Sequence, residues 1–390
     1  MEKRYTTWLA IASAMLSISW QPSIIGQNYG SAVFLLCLVC ISIKVYIGQK
    51  LELILFLIAL LFPLYVSFSY FVGNSSIPIL DNIKGLLTLI CGMLAFMIGI
   101  NGAGRTLLKT FIWIMFIISA AGIFTVIIRF GSFLAGNFDF YIDTDGYGSP
   151  NGFLLPAALF YGQSYYFNEL NLTLPRFVGG FREPGLMQAF GFTALLCVQT
   201  FYRGGKAILM QCVLGLASLL TLSTAAFVNF PIVLILLALQ TRFGIKIRIV
   251  IVFLFTVMAV AFATYTYSLS SVGLSAKLDG ESGQDRTNAI RDAERTFNSH
   301  PFFGSVIAND SNLESSVSGS LLIVYSRYGF LGMLFLFSPF AYLCLRRGFL
   351  PKFILLSPLI ITAITSQPLF NTVPVLFLLF TVATIERPSI

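Results

Sequence analysis

A chain of 390 residues would ordinarily fold as two or three soluble domains, but 57% of this one is hydrophobic and only 10% is charged. Water-facing surface needs about 25% charged residues, so a soluble globular protein is excluded and a polytopic membrane protein is implied. The net charge of +8 then reports where basic residues sit relative to a bilayer, and nucleic-acid binding is excluded as its meaning.

A hydrocarbon core about 30 Å thick needs about 20 apolar helical residues. Runs of that kind predict about twelve membrane helices, at 7–25, 30–48, 51–72, 83–101, 107–128, 186–201, 207–222, 225–240, 249–269, 319–343, 353–368 and 372–385. The expected fold is an all-α polytopic integral membrane protein, one membrane domain over 1–390. With both termini in the cytoplasm, inner loops collect fifteen basic residues, among them Lys3, Arg4, Arg105, Arg203, Arg242 and Lys246, against Glu2, Glu52 and Glu386. The outer loops carry the acidic excess, so the bias follows the positive-inside rule. Trp8–Ile25 lacks a small-residue cleavage site and reads as the first span. No internal repeat is visible.

One further apolar run, Gly152–Phe167, is short and interrupted by Pro156, Gly162 and Gln163. Counting it as a crossing would put Arg242, Lys246, Arg248, Arg346, Arg347 and Lys352 outside, so it is read as re-entrant or interfacial. Two outer loops, 131–185 and 270–318, then stand out against otherwise short connections, and long loops in an economical chain carry function. All six cysteines fall in predicted spans and read as packing residues. With His300 the single histidine, a protein-held zinc or haem site is not expected. Asp139, Asp143 and Asp145 are clustered, as in a metal-binding loop, but without the rest of a calcium loop they read as a solvated acidic loop.

Chemistry concentrates in three stretches. In the first, Arg176-Phe-Val-Gly-Gly-Phe-Arg182-Glu183-Pro184-Gly185, Pro184 suits a first helical position. The helix terminus, Arg182 and Arg176 would suit an anionic head group at the outer surface. Glu183 between arginines is either their salt-bridge organiser or a general base. Gly179 and Gly180 allow close approach or a positive φ. The competing reading is an interfacial turn with snorkelling arginines.

In the second stretch, Ser282–Gly304, Asp285 would cap a helix on which Arg286, Ile290, Ala293 and Phe297 share one apolar, packing face. Arg291 and Arg295 fall opposite, with Asp292 and Glu294 as partners. A cation on a packing face needs an anion, either a substrate diphosphate or an acid such as Asp279 or Glu281. His300 ends the helix ahead of Pro301, so capping competes with acid/base work. In the third, Ser318–Gly332, Arg327 lies either two turns into a span, where an ionisable residue is functional or paired, or in a juxtamembrane helix with the span starting near Gly329. Tyr325 and Asn288 are weaker site candidates. Tyr147, Tyr161, Tyr165 and Tyr166 either stack on the rings of a ligand or anchor at the interface.

At these residues the chain resembles the bacterial O-antigen polymerase (Wzy-type) and O-antigen ligase superfamily of membrane glycosyltransferases. Arg176–Gly185 is similar to its R-x-x-G-x-F-x-E-P-G pattern. Arg286, Ile290, Ala293, Phe297, His300-Pro301 and Gly304 are similar to R-x3-W-x2-A-x3-F-x2-H-P-x2-G, with Ile290 where an aromatic is common. Gly329-x-x-Gly332 fits the ending. The resemblance implies a GT-C-like enzyme of the bacterial inner membrane acting on undecaprenyl-diphosphate-linked glycans at the periplasmic face, with no cofactor or metal. Its partners would be the lipid bilayer, a chain-length regulator and other polysaccharide-assembly membrane proteins. Diphosphate binding would fall to Arg176, Arg182, Arg286, Arg291 and Arg327, and catalysis to Glu183, Arg182, Arg286 and His300.

Ligases of this group usually carry a histidine eleven residues before the first glycine of that ending, where this chain has Ser318, so the pattern favours a polymerase over a ligase. A lipid-linked oligosaccharide flippase is a third reading, but it would need cations along a transmembrane pathway rather than in outer loops.

Overall fold

The computed structural model describes residues 53–72, 104–142, 151–167, 172–181, 183–240, 281–308, 320–347 and 354–365. The expected spans 7–25, 30–48, 83–101, 249–269 and 372–385 lie outside these residues, as do Arg182, Asp143, Asp145, Tyr147 and Ser318.

Among the described residues, helices stand at the other expected span positions and over the expected 286–297 helix, and two short ones, Phe130–Ala135 and Gly304–Ala308, are not among those expected. The helices are α1 (Leu53–Val72), α2 (Gly104–Ile128), α3 (Phe130–Ala135), α4 (Pro184–Phe201), α5 (Gly204–Leu220), α6 (Thr224–Gln240), α7 (Glu281–Ser299), α8 (Gly304–Ala308), α9 (Ser320–Arg347) and α10 (Ser357–Thr365), the last entered through a 3-10 turn. One stretch, Leu108–Ile128 of α2, is long and apolar enough to cross a bilayer. Gly204–Leu220, Ala225–Ala238 and Ile354–Ala363 are shorter apolar helices.

Helix α4 is the centre of the packing. Pro184 through Val198 are all buried, a helix apolar all round and therefore enclosed by other helices. Helices α2, α5, α6 and α10 contact it. Within this apolar surround sits a polar triad with no exposed surface: Gln188, Asn229 and Thr362. The Gln188 amide donates to the Thr362 hydroxyl at 2.9 Å. The Asn229 amide donates to Gln188 Oε1 and to Thr362 Oγ1, each at 3.1 Å. One residue from each of α4, α6 and α10 is thus tied into one network.

The loop 131–185 corrects the all-α expectation. It holds a four-stranded antiparallel meander, β1 (Phe140–Ile142), β2 (Asn151–Leu154), β3 (Ala158–Phe167) and β4 (Leu172–Phe177), in chain order. The run 152–167, expected to be re-entrant or interfacial, is the β2–β3 hairpin, turning at 155–157. Its aromatics suit a pleated, half-buried surface, and Phe160 pairs with Phe177 and Tyr161 with Arg176 across β3 and β4.

The sheet is fixed to the end of α2. Arg129 and Asp139 form a salt bridge at 2.9 Å, the Leu155 N–H donates to the other Asp139 oxygen at 2.7 Å, and the Ala157 N–H donates to Thr125 Oγ1 at 3.2 Å. Asp139 is therefore a structural carboxylate. The Leu155 N–H first, and then the Arg129 guanidinium, hold its pKa below the usual carboxylate value. A depressed folded pKa contributes stability that is present above the unfolded value, about 3.9, and is lost as pH falls through the folded value. Acidification should loosen the β2–β3 turn, read as faster exchange of the Leu155 amide. In Asp139→Asn that acid-dependent component should be absent.

Candidate functional site

The first motif forms the junction between sheet and helix. Arg176 lies on β4, its guanidinium 5.5 Å from the centroid of the Tyr161 ring on β3, so the sheet orients this cation by its cross-strand neighbour. The chain then turns: the Val178 N–H donates to Leu159 O at 3.0 Å and the Phe181 N–H to Val178 O at 2.9 Å, with Gly179 at φ +60°. Phe181 stacks on Phe190 of α4, centroids 5.0 Å apart. Glu183 is the N-cap of α4 in extended conformation, and Pro184 takes the first helical position, as the sequence predicts. The Glu183 carbonyl accepts from the Leu186 and Met187 N–H groups at 3.1 and 3.3 Å. Its carboxylate makes no capping hydrogen bond.

The second and third motifs meet. Helix α7 ends at Ser299, the His300 N–H donates to Thr296 O at 2.8 Å, and the His300 carbonyl accepts from the Gly304 N–H at 3.0 Å. The resulting Pro301–Phe303 turn lies against a break in α9 at Gly329, whose φ of 62° and ψ of −165° are non-helical. Two N–H groups just past the break cross over: Phe330 donates to Pro301 O at 2.8 Å and Leu331 to Phe302 O at 3.1 Å. Gly304 and Gly329 face one another. A Cβ on Gly304 would sit 2.4 Å from Arg327 O, and one on Gly329 would sit 2.5 Å from Phe302 O. Both have positive φ, so neither position accepts a side chain.

Of the two placements the sequence left open for Arg327, the break puts it on the short segment ahead of Gly329, before the longer apolar part of α9. Arg327 is partly buried, as are Tyr325 and His300.

Helix α7 packs on a face different from the expected one. Ala293 is 8% exposed and Thr296 fully buried, whereas Ile290 and Phe297 are 57% and 64% exposed. By the 3.6-residue period the packing stripe is rotated about 60° from the predicted face, and position 286 falls at the edge between that stripe and the exposed apolar positions. Apolar periodicity alone does not tell which of two neighbouring stripes meets protein. The side chain of Arg286 lies outside the described set. Arg291 and Asn288 are exposed, and Arg295 pairs with Asp292 at 3.7 Å.

Sequence reasoning missed Tyr65 of α1. Its hydroxyl donates to Tyr328 O at 3.0 Å, with Phe303 O sharing the proton at 3.3 Å, and its ring packs edge-on against Phe335. One side chain thereby ties both halves of the turn-and-break junction. A lone tyrosine in an apolar run carries no motif signal. Tyr65→Phe should lower stability by about 1 kcal/mol, read as a lower thermal midpoint of the detergent-solubilised protein; an unchanged midpoint would mean the hydroxyl does not hold the junction.

The two motif centres are linked through packing: α9 contacts α10, and α10 contacts α4. Chemically, the parts are an arginine held over an aromatic ring, a glutamate at a helix N-terminus, and a clamp made by the main chain of His300–Gly304 and Arg327–Gly329.

A family model described as O-antigen ligase matches residues 209–318. The matched stretch takes in most of α5, all of α6, α7 and α8, and therefore the Arg286–Gly304 motif. No curated protein and no solved structure matches the chain significantly. Over residues 209–318 the chain is therefore similar to the O-antigen ligase family, and the HPxxG turn locked into the GxxG break lies at the edge of that stretch.

Proposed function

We propose that this chain is a polysaccharide polymerase, joining undecaprenyl-diphosphate-linked oligosaccharide repeat units at the periplasmic face of the bacterial inner membrane. The observation that carries the reading is the junction at 300–304 and 327–329, which brings His300 and Arg327 to one backbone clamp on the motif shared with the superfamily. The full fold would be GT-C-like with about twelve spans. Ser318, in place of the histidine usual in ligases, favours the polymerase over transfer of finished chains to a lipid A core.

In the reaction, a sugar hydroxyl of an incoming lipid-linked repeat attacks the anomeric carbon of the growing chain. The new glycosidic bond forms as the anomeric carbon–oxygen bond to undecaprenyl diphosphate breaks. Arg176, Arg182, Arg286, Arg291 and Arg327 neutralise the charge gathering on the departing diphosphate, a role otherwise given to a metal ion. Glu183 takes the proton of the attacking hydroxyl, and His300 is the alternative base. Asn288 and Tyr325 touch the glycan.

Deletion of the gene in its host, with gel separation of surface polysaccharide and extraction of lipid-linked intermediates, tests this. The polymerase reading requires loss of the long-chain ladder with single repeats still attached to the acceptor. Full-length chains stranded on undecaprenyl diphosphate would make the protein a ligase. Single repeats trapped at the cytoplasmic face would make it a flippase and remove the catalytic reading.

A further inference from the structure

At the end of α2 opposite the sheet, three helices converge on a ring of cations and aromatics. Lys206, in the first turn of α5, lies with its Nζ 4.9 Å from the Trp113 ring centroid and 5.2 Å from that of Tyr202. Arg105, in the first turn of α2, has its guanidinium 5.9 Å from the Phe201 ring. Arg203 caps α5, and Lys109 stands one turn beyond Arg105; all four cations are exposed. Neither α2, α4 nor α5 contains an acidic residue. Among the described residues none of the four cations has a carboxylate partner.

Four cations gathered at one end of three helices, with no carboxylate partner among the described residues, repel one another, and an anionic surface relieves that repulsion. Trp113 and Tyr202 have the amphipathic character of side chains that settle at head-group level. The rings hold Lys206 and Arg105 against the helix ends instead of leaving them to range through solvent. The first-turn N–H groups of α5 add positive potential, with Arg203 making no side-chain cap there.

We propose that this cluster binds the phosphate of an anionic phospholipid, such as phosphatidylglycerol, in the leaflet that meets the start of α2. The phosphate sits among Arg105, Arg203 and Lys206, and its acyl chains run along α2 beside Trp113. This site lies at the far end of α2 from the first motif and does not depend on the polymerase reading.

Trp113 is a built-in reporter, since the other two tryptophans are Trp8 and Trp20. The full chain carrying Trp8→Phe and Trp20→Phe would be placed in phosphatidylcholine vesicles containing an equal mole fraction of acyl-brominated phosphatidylglycerol or acyl-brominated phosphatidylcholine. The expected result is Trp113 quenching about fivefold more effective per brominated phosphatidylglycerol, the ratio that one cation near an anionic surface commands. That preference should shrink as salt is raised. It should vanish in Arg105→Gln/Arg203→Gln/Lys206→Gln and persist in the charge-keeping Arg203→Lys/Lys206→Arg. Equal quenching by the two lipids in the unsubstituted cluster would overturn the site, as would a preference that survives neutralisation. The first of these needs no cluster substitution, so a poorly folding triple variant would not shelter the proposal.

Discussion

Gly329→Ala is expected to destabilise the protein by about 3 kcal/mol or more, because it adds backbone strain to a direct clash. Its φ of 62° and ψ of −165° are open to glycine and closed to a residue with a Cβ. The atoms it would meet, Phe302 C and O and the Gly304 N, are all main chain, so no rotamer can move aside. Gly304→Ala should behave alike, since its Cβ would meet Arg327 O. Gly131→Ala is the control: nothing lies within 4 Å of a Cβ there, and alanine in a helix is favoured over glycine. Thermal unfolding in detergent should rank the three, with Gly131→Ala at or above wild type. A wild-type midpoint for Gly329→Ala would mean the break and the turn do not meet as described.

Glu183→Gln is expected to leave the protein level intact while lowering polymer formation by about 100-fold, the lower end of what a positioned general base supplies. The helix start depends on the Glu183 carbonyl and on Pro184, and the carboxylate makes no cap; the amide of glutamine keeps the shape and removes the basicity. Arg286→Lys should likewise reduce turnover while sparing the fold, because it keeps the charge and loses the bidentate fork. Arg291→Ala should be milder. Ladder length and turnover of a purified lipid-linked repeat are the readouts. Normal turnover in Glu183→Gln, together with collapse in His300→Gln, would transfer the base to His300.

The positions of α1, α2, α4, α5 and α6 were legible because lipid-compatible runs must be long and apolar, and Pro184 marked a helix start without any tertiary information. The sheet was not legible. The 152–167 run is aromatic and apolar, as a membrane-associated segment would be, and its partner 172–177 lies across a loop, so pairing exists only in three dimensions. The face of α7 was misjudged because periodicity shows which positions are apolar and not which of them pack: Ile290 and Phe297 are exposed while Ala293 and Thr296 are buried. The motif glycines were recognised as a pattern, while their mutual contact across 25 residues of chain has no sequence signature.

The Gln188–Asn229–Thr362 triad limits how this protein can move. Helices held only by aliphatic contacts can slip along one another at small cost, because each new register offers similar packing. A slip of one helical turn, about 5.4 Å, would separate all three side chains and strand their polar groups in an apolar interior. Helices α4, α6 and α10 are therefore keyed at one height and travel as a single block, which holds Glu183 at constant depth.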